Sequence, residues 1–133
     1  MILSRSEILK EIKSKNLKIE PFKKEYIGPA SIDLTLDNQF RIFKKGTNTV
    51  TLEETSDYKK YTKLVKQNSI ILQPNEFILG ISKEKITMPK NLCGWLQGRT
   101  RFARFGLNIH STAPFISPGV KNKQTLEIKN LSI

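Results

Sequence analysis

The first clear periodicity lies near the N-terminus. Ile8, Leu9 and Ile12 recur at helical spacing. Ser4 precedes them with Glu7 three positions on, the capping-box pattern that satisfies free N–H groups at a helix start. The spacing predicts a short helix from Arg5 to about Ser14, ended by the polar Lys15 and Asn16. Pro21 and the pair Gly28-Pro29 then punctuate the chain. Beyond Pro29 the period changes to two. Residues 31–36 place Ile32, Leu34 and Leu36 on one face, and residues 39–43 alternate likewise after the turn-forming Asp37-Asn38. Further strands are predicted at 48–52, 69–72, 76–82, 85–88, 91–96, 107–110 and 125–129. Residues 53–68 are polar and aperiodic, which predicts a surface loop or a short helix.

Many short strands, tight turns and one small helix predict an all-β sandwich or barrel. No βαβ alternation, internal repeat or low-complexity stretch divides the chain, so residues 1–133 read as a single domain. The 38% hydrophobic and 26% charged content fits a soluble globular protein. No apolar run approaches the length of a membrane span. Residues 1–10 mix acid and base around no long apolar centre, unlike a secretory signal, so the expected location is cytoplasmic.

Cys93 stands alone in an apolar run and reads as an inert buried thiol. One cysteine and one histidine, His110, cannot build a local His/Cys zinc cage. The net charge of +11 raises the question of nucleic acid. The lysines are scattered, however, and no basic helix stripe or stacking pattern organises them. They read as a solvated surface whose field steers an anionic metabolite.

The densest chemistry lies in residues 98–107. Arg99, Thr100, Arg101 and Arg104 fall within six residues bounded by Gly98 and Gly106, with Phe102 and Phe105 interleaved. Guanidinium forks suit planar oxyanions, phosphate above all, so a polyphosphate-bearing small molecule is the first ligand to consider. If Thr100 caps a short helix, its hydroxyl and the free N–H groups make an anion site. Arg101 and Arg104 would then project together and the two phenylalanines would anchor the buried side. An ordinary cationic turn with core anchors fits the spacing equally.

Two further stretches remain open in the same way. Residues 116–122 contain a tight turn at Pro118-Gly119, with Asn122 able to take left-handed backbone; a plain hairpin is the simplest reading. Glu127 lies between Leu126 and Ile128, so alternation exposes it. In a semi-enclosed pocket its pKa would instead rise, and it could serve as general base and acid.

Taken together, these stretches resemble the dCTP deaminase family of the dUTPase-like superfamily. Residues 31–36 match its Ser-x-Asp-Leu-x-Leu strand, and residues 98–107 match its Gly-Arg-Ser-Ser-x-Ala-Arg-x-Gly-Leu turn. His110-Ser111-Thr112-Ala113 matches His-x-Thr-Ala, and residues 116–119 match Ile-Asp-Pro-Gly with one change. Leu126, Glu127 and Asn130 match Leu-Glu-x-x-Asn. The resemblance implies a jelly-roll-like β-barrel with a short N-terminal helix, assembled as a homotrimer with active sites between subunits. It implies zinc-free conversion of dCTP to dUTP and ammonia in deoxynucleotide biosynthesis. The zinc deaminase signature, His-x-Glu with Pro-Cys-x-x-Cys, is missing from the chain.

By the same resemblance, Glu127 activates water for attack on the cytosine ring and shuttles protons. Thr100 stands for a serine that holds that water and the base, and Arg104 supports the cluster electrostatically. Arg99, Thr100 and Arg101 form the triphosphate-binding turn, with Mg²⁺ carried on the nucleotide. The backbone of Ser111, Thr112 and Ala113 reads the pyrimidine edge. The chain departs from the pattern at Arg101, where the family has a second serine, and at Ser117, where it has an aspartate beside the sugar. In related dUTPases that aspartate activates the hydrolytic water, so Ser117 argues against dUTP hydrolysis. Val120 replaces an aromatic in the same turn. Family members also continue past Asn130 with further strands and a tail over the triphosphate, so a truncated C-terminus and reduced catalysis are expected of the 133-residue form. The alternatives are a dUTP diphosphatase, an enzyme with both activities, and a catalytically impaired nucleotide-binding module.

Overall fold

The N-terminal helix forms where the pattern places it. In the computed structural model, which describes residues 1–46 and 49–132, α1 spans Arg5–Lys13 with Ser14 as its C-cap. Both arms of the capping box close between Ser4 and Glu7, and Glu7 in the first turn with Lys10 and Lys13 in the last complement the helix dipole. The hydrogen bonds from Ser4 to Glu7 hold that carboxyl below its usual range. Ile8 is buried.

The rest is mainly antiparallel β. β1 (Lys18–Glu20), β2 (Gln39–Phe43), β3 (Thr62–Lys66), β4 (Phe77–Thr87) and β8 (Lys121–Asn130) join β6 (Leu107–Asn108) in one sheet. Its order is β3-β2-β4-β8-β6, with β1 paired to the far half of β4. β5 (Gly94–Trp95) and β7 (Phe115–Ile116) make a separate two-stranded ribbon. The β4–β8 ladder is the spine, pairing Phe77 with Lys129 through to Thr87 with Lys121. The two strands predicted at 76–82 and 85–88 are one long strand, because the break between them is a bulge rather than a turn. Ser82 fills that bulge: its hydroxyl donates to the Glu84 carbonyl at 2.7 Å and accepts from the Gln124 N–H at 2.8 Å.

The bulge also explains why residues 31–36 do not form the predicted strand. Their neighbour is the interrupted part of β4, so no continuous ladder is available. They make isolated bridges, Ile27 to Ile32 and Leu36 to Ser82, and the Thr35 N–H donates to the Glu84 carboxylate at 2.8 Å. Ile32 and Leu34 still pack inward, onto the cluster of Leu17, Ile19, Ile86, Met88 and Ile116. A second cluster holds Phe40, Ile78, Leu126 and Ile128. Leu96 packs against both.

Other elements differ from expectation. β3 and a 3-10 turn at Tyr58–Lys60 occupy the stretch predicted as loop or short helix. β3 was hidden because it is an edge strand whose lysines face water, the composition that guards a sheet edge. Residues 69–72 form no strand, although Ile70 and Leu72 pack against the second cluster. None forms at 49–52 either, and Asn48 lies outside the described residues. The strands predicted at 91–96 and 107–110 shrink to two residues each, whereas that at 125–129 lengthens to Lys121–Asn130. The left-handed residue of the 116–122 turn is Gly119 (φ 81°); Asn122 lies in β8. That turn is not a hairpin, since β7 pairs with β5 and not with β8. Cys93 is exposed, because the run around it is an edge ribbon rather than a buried strand. No helix among the described residues is long and apolar enough to cross a membrane.

Candidate active site

Glu127 is carried by β8 on the sheet face opposite the core residues Leu126 and Ile128. Register sets its neighbours: Glu127 lies opposite Leu79, Leu79 opposite Arg41, and Arg41 opposite Leu64. These four side chains form one row on the outer face. Alternation alone would leave the carboxylate in water, but residues 110–113 fold over it and half-bury it. β6 leads there directly, since Asn108 pairs with Lys129 and the chain continues along β8 toward Glu127.

The turn needs the carboxylate as much as the carboxylate needs the turn. Backbone N–H groups in a non-repetitive segment have no ladder partner and must find an acceptor. Glu127 Oε2 accepts from the Ser111 N–H at 2.9 Å and from the Thr112 N–H at 2.6 Å. Oε1 accepts from the Thr112 hydroxyl at 2.8 Å. Desolvation is the largest single influence on this carboxyl and raises its pKa. The hydrogen bonds from the Thr112 hydroxyl, the Thr112 N–H and the Ser111 N–H, with the nearby His110, together outweigh it and hold the group below its usual range. The expectation of a raised pKa therefore fails, because donors line the site as well as apolar surface.

His110 fixes the turn from the other side. Its Nε2 lies 2.8 Å from the Ala113 carbonyl, and since a carbonyl only accepts, Nε2 carries the proton. Its backbone N–H donates to Asn108 Oδ1 at 2.9 Å. Nδ1 is buried without a partner. Among the atoms expected to read a pyrimidine, the Ser111 and Thr112 N–H groups are thus already committed to Glu127. The Ala113 N–H and the carbonyls of Ser111 and Thr112 remain.

The arginine turn lies at the same edge of the sheet. α2 spans Thr100–Ala103, and Gly106 (φ 78°) ends the turn before β6. The Leu131 N–H donates to the Gly106 carbonyl at 2.7 Å, tying the turn to the end of β8. At Gly98 an added Cβ would lie 3.4 Å from Ile109, so this arm packs against the residue that precedes His110. Two expectations about the turn are corrected. Arg99, not Thr100, is the N-cap, and no side chain caps the helix; Thr100 is its first residue. Phe102 and Phe105 are exposed, Phe105 by 83%, because the core ends at Leu107 and Ile109 and no described element covers α2.

Arg99 pairs with Asp33 at 3.3 Å. Arg101 rests over the Phe102 ring at 5.6 Å, and neither Arg101 nor Arg104 makes an ion pair among the described residues. Ser117 is exposed in the turn before β8. Six residues of extended strand separate Lys121 from Glu127, a span of roughly 20 Å. One chain therefore brings Glu127, Ser111 and Thr112 together, with Ala113 tied in through His110. Arg99, Thr100, Arg101 and Arg104 lie on the segment preceding β6, with no hydrogen bond or ion pair to Glu127 among the described residues. No hydrogen bond among the described residues joins Ser117 to Glu127. Asp33, Asn108 and His110 complete the cluster without having been assigned roles from sequence. Alternation showed Asp33 facing away from Ile32 and Leu34 but not what it faces, and no sequence signal marks Asn108.

A family model described as "dCTP deaminase-like" matches residues 2–133. A "dCTP deaminase, dUMP-forming" of Mycolicibacterium smegmatis is 38% identical over 99% of this chain and 71% of its own length. One from Corynebacterium glutamicum is also 38% identical, with the same coverage. The crystal structure of a 2'-deoxycytidine 5'-triphosphate deaminase from Agrobacterium tumefaciens superposes with a TM-score of 0.73 at 17% identity, over 99% of this chain and 42% of that one. The mainly β architecture of that protein is thus the fold found here.

Proposed function

The chain belongs to the dCTP deaminase-like family, and from that premise we propose that it hydrolyses the exocyclic amine of dCTP with Glu127 as the proton-transferring base. The observation that carries this reading is the state of the carboxylate. Each carboxylate oxygen offers about two lone-pair sites. Oε2 is filled by two N–H groups, whereas Oε1 accepts one hydroxyl and keeps one site open. An ionised carboxylate with one acceptor site open among the described residues can take a proton from a bound water, as a weaker base than an unperturbed glutamate.

The water oxygen then bonds to C4 of the cytosine while its proton passes to Oε1. Glu127 delivers that proton to N3, which took the C4=N3 electron pair during the attack. It then carries the proton of the new C4 hydroxyl to the amine, the C4–N bond breaks, and ammonia leaves a carbonyl at C4 and an N–H at N3. The Ala113 N–H donates to an acceptor on the ring edge, and the free carbonyls of Ser111 and Thr112 accept from the amine. Thr100 helps hold the water. Arg104 offsets negative charge at the reacting centre, where fixed charges act without reorganising. Arg99, Thr100 and Arg101 take the triphosphate, and Mg²⁺ arrives bound to it as part of the substrate. The reaction belongs in the cytoplasm, with the deoxynucleotide pool.

Exposed apolar surface is what favours assembly. The exposed aromatics, Phe105, Trp95 (64% exposed) and its edge-on neighbour Phe115, are the surface a second copy would cover. A homotrimer with sites between subunits fits that exposure.

A second reading, hydrolysis onward to dUMP and pyrophosphate, is favoured by the names of the two bacterial relatives. Ser117 opposes it, because a hydroxyl is a far weaker base than the family's aspartate. Protein supplied with dCTP and Mg²⁺ is expected to release ammonia. Pyrophosphate released alongside selects the second product, and its absence selects dUTP. No ammonia, together with tight dCTP binding, would leave only the nucleotide-binding module.

A further inference from the structure

Of the three arginines in the phosphate turn, Arg99 alone meets a carboxylate among the described residues. Arg99 Nη1 lies 3.3 Å from Asp33 Oδ2. The two partners arrive on different kinds of support. Asp33 is built into the framework: its N–H donates to the Tyr26 carbonyl at 2.8 Å, Ile32 bridges Ile27, and Ile32 and Leu34 pack into the first core cluster. Arg99 projects from the N-cap of a short helix with no side-chain bond to hold it there. The contact is single and open to water, with side chains 56% and 38% exposed, so it is a weak pair that a better ligand can displace.

The surroundings oppose any anion that would reach Arg99. An open cleft of about 490 Å³ meets the pair, and its wall carries Glu25 and Asp33 along with Tyr26, Thr35 and Arg99. Glu25 makes no ion pair among the described residues. A phosphate entering here meets two carboxylates and one cation, and that cation is already engaged.

We propose that Asp33 is a positioning residue that occupies Arg99 in the free protein as an internal stand-in for phosphate, and that the substrate's triphosphate must displace it to bind. This rests on the reading of residues 98–107 as the phosphate turn. The carboxylate keeps the guanidinium aimed at the cleft while the site is empty, and lowers affinity for every phosphate ligand by the strength of the broken pair. Nucleotide binding thereby becomes coupled to the segment around residues 27–35.

The test is direct binding of inorganic tripolyphosphate and of dCTP to the full chain. Asp33→Asn is expected to tighten both by up to about fivefold, the range a half-exposed ion pair carries. A gain in affinity cannot arise from a misfolded variant. Glu25→Gln removes the other carboxylate of the cleft, which does not touch Arg99, and is expected to change affinity far less. Equal tightening by both variants would reduce Asp33 to a contributor of background charge and overturn the inference. Unchanged or weaker binding by Asp33→Asn would overturn it too. Arg99→Ala should weaken tripolyphosphate binding; if it does not, the phosphate reading fails and takes this inference with it, whereas weakening by Arg99→Ala without tightening by Asp33→Asn sinks the inference alone.

Discussion

Two clusters flank β6 along the chain, and they are built on opposite terms. Around Glu127 the chain satisfies most of its own polar groups: the carboxylate receives donors from Ser111 and Thr112, and His110 bonds Ala113 through Nε2, with Nδ1 left unpartnered among the described residues. Around α2 it does not. Arg101 and Arg104 lack carboxylate partners among the described residues, and Phe105 is almost fully exposed. A base whose lone pairs are fixed before substrate arrives costs little reorganisation during reaction. Guanidinium groups left unpaired keep their full charge for a ligand, and uncovered phenylalanines keep their area for a partner. On the proposed function, the chain thus finishes the half of the site that would do chemistry and leaves unfinished the half that would bind.

If that division is right, substitutions in the two halves will differ in kind. Glu127→Gln keeps the shape but removes the base. It should lower kcat for deamination by about 10²–10⁴-fold, the range for a lost general base. Glu127→Ala should also destabilise the fold by about 1–3 kcal/mol, because the turn N–H groups lose their acceptor. Arg104→Ala should lower kcat/KM yet leave stability within about 0.5 kcal/mol, as surface changes do. Kinetics beside thermal melts of the three variants would check this. An Arg104→Ala melt as poor as that of Glu127→Ala would erase the distinction between a closed and an open cluster.

A smaller effect is expected at Phe105. Phe105→Glu places a charge where a second copy would pack, and should weaken assembly by at least about thirtyfold, the scale of a hot-spot loss. The melting of the isolated chain should hardly move, because Phe105 touches no core. Sedimentation across a concentration series separates the two, and undiminished assembly would mean that the exposed aromatics face solvent for some other reason.

The closed cluster was the more legible of the two, though its closure was not. The place of Glu127 between Leu126 and Ile128 leaves its role open; the family motif names it, as it names Thr112. That they bond to each other depends on residues 110–113 folding across β8, a contact between positions 15 apart that no local period encodes. The helix at Arg5–Lys13 was readable because its capping box is local. The strand content of β4 and β8 was readable from alternation, but the bulge split β4 into two predicted strands. The pairing of β4 with β8 is a long-range contact that no local period encodes. Residues 31–36 alternate just as cleanly and form no strand, since alternation reports which side faces inward and not whether a ladder partner exists. Phe102 and Phe105 misled for a related reason. An exposed aromatic has the same spacing as one in a core.

The finest test of the closed cluster is its response to pH. Thr112→Val removes one hydroxyl donor and keeps the backbone N–H, so the cost to stability should be about 1.5–3 kcal/mol, as for a hydrogen bond to a charged group. The Thr112 hydroxyl is the strongest of the influences that lower the Glu127 pKa, and desolvation still raises it, so the variant's pKa must move upward. The acid limb of kcat/KM should therefore shift to higher pH in Thr112→Val. Stability should respond in the matching sense. A folded pKa below the ordinary glutamate value of about 4.3 means that the native state binds fewer protons than the unfolded one. That contribution is fully present above the unfolded pKa and is lost as pH falls through the folded one. The parent chain should thus lose more stability on acidification from neutral pH through that window than Thr112→Val does. Equal acid sensitivity in the two would mean that the hydroxyl does not bind the carboxylate in solution, and the base would then be held by backbone alone.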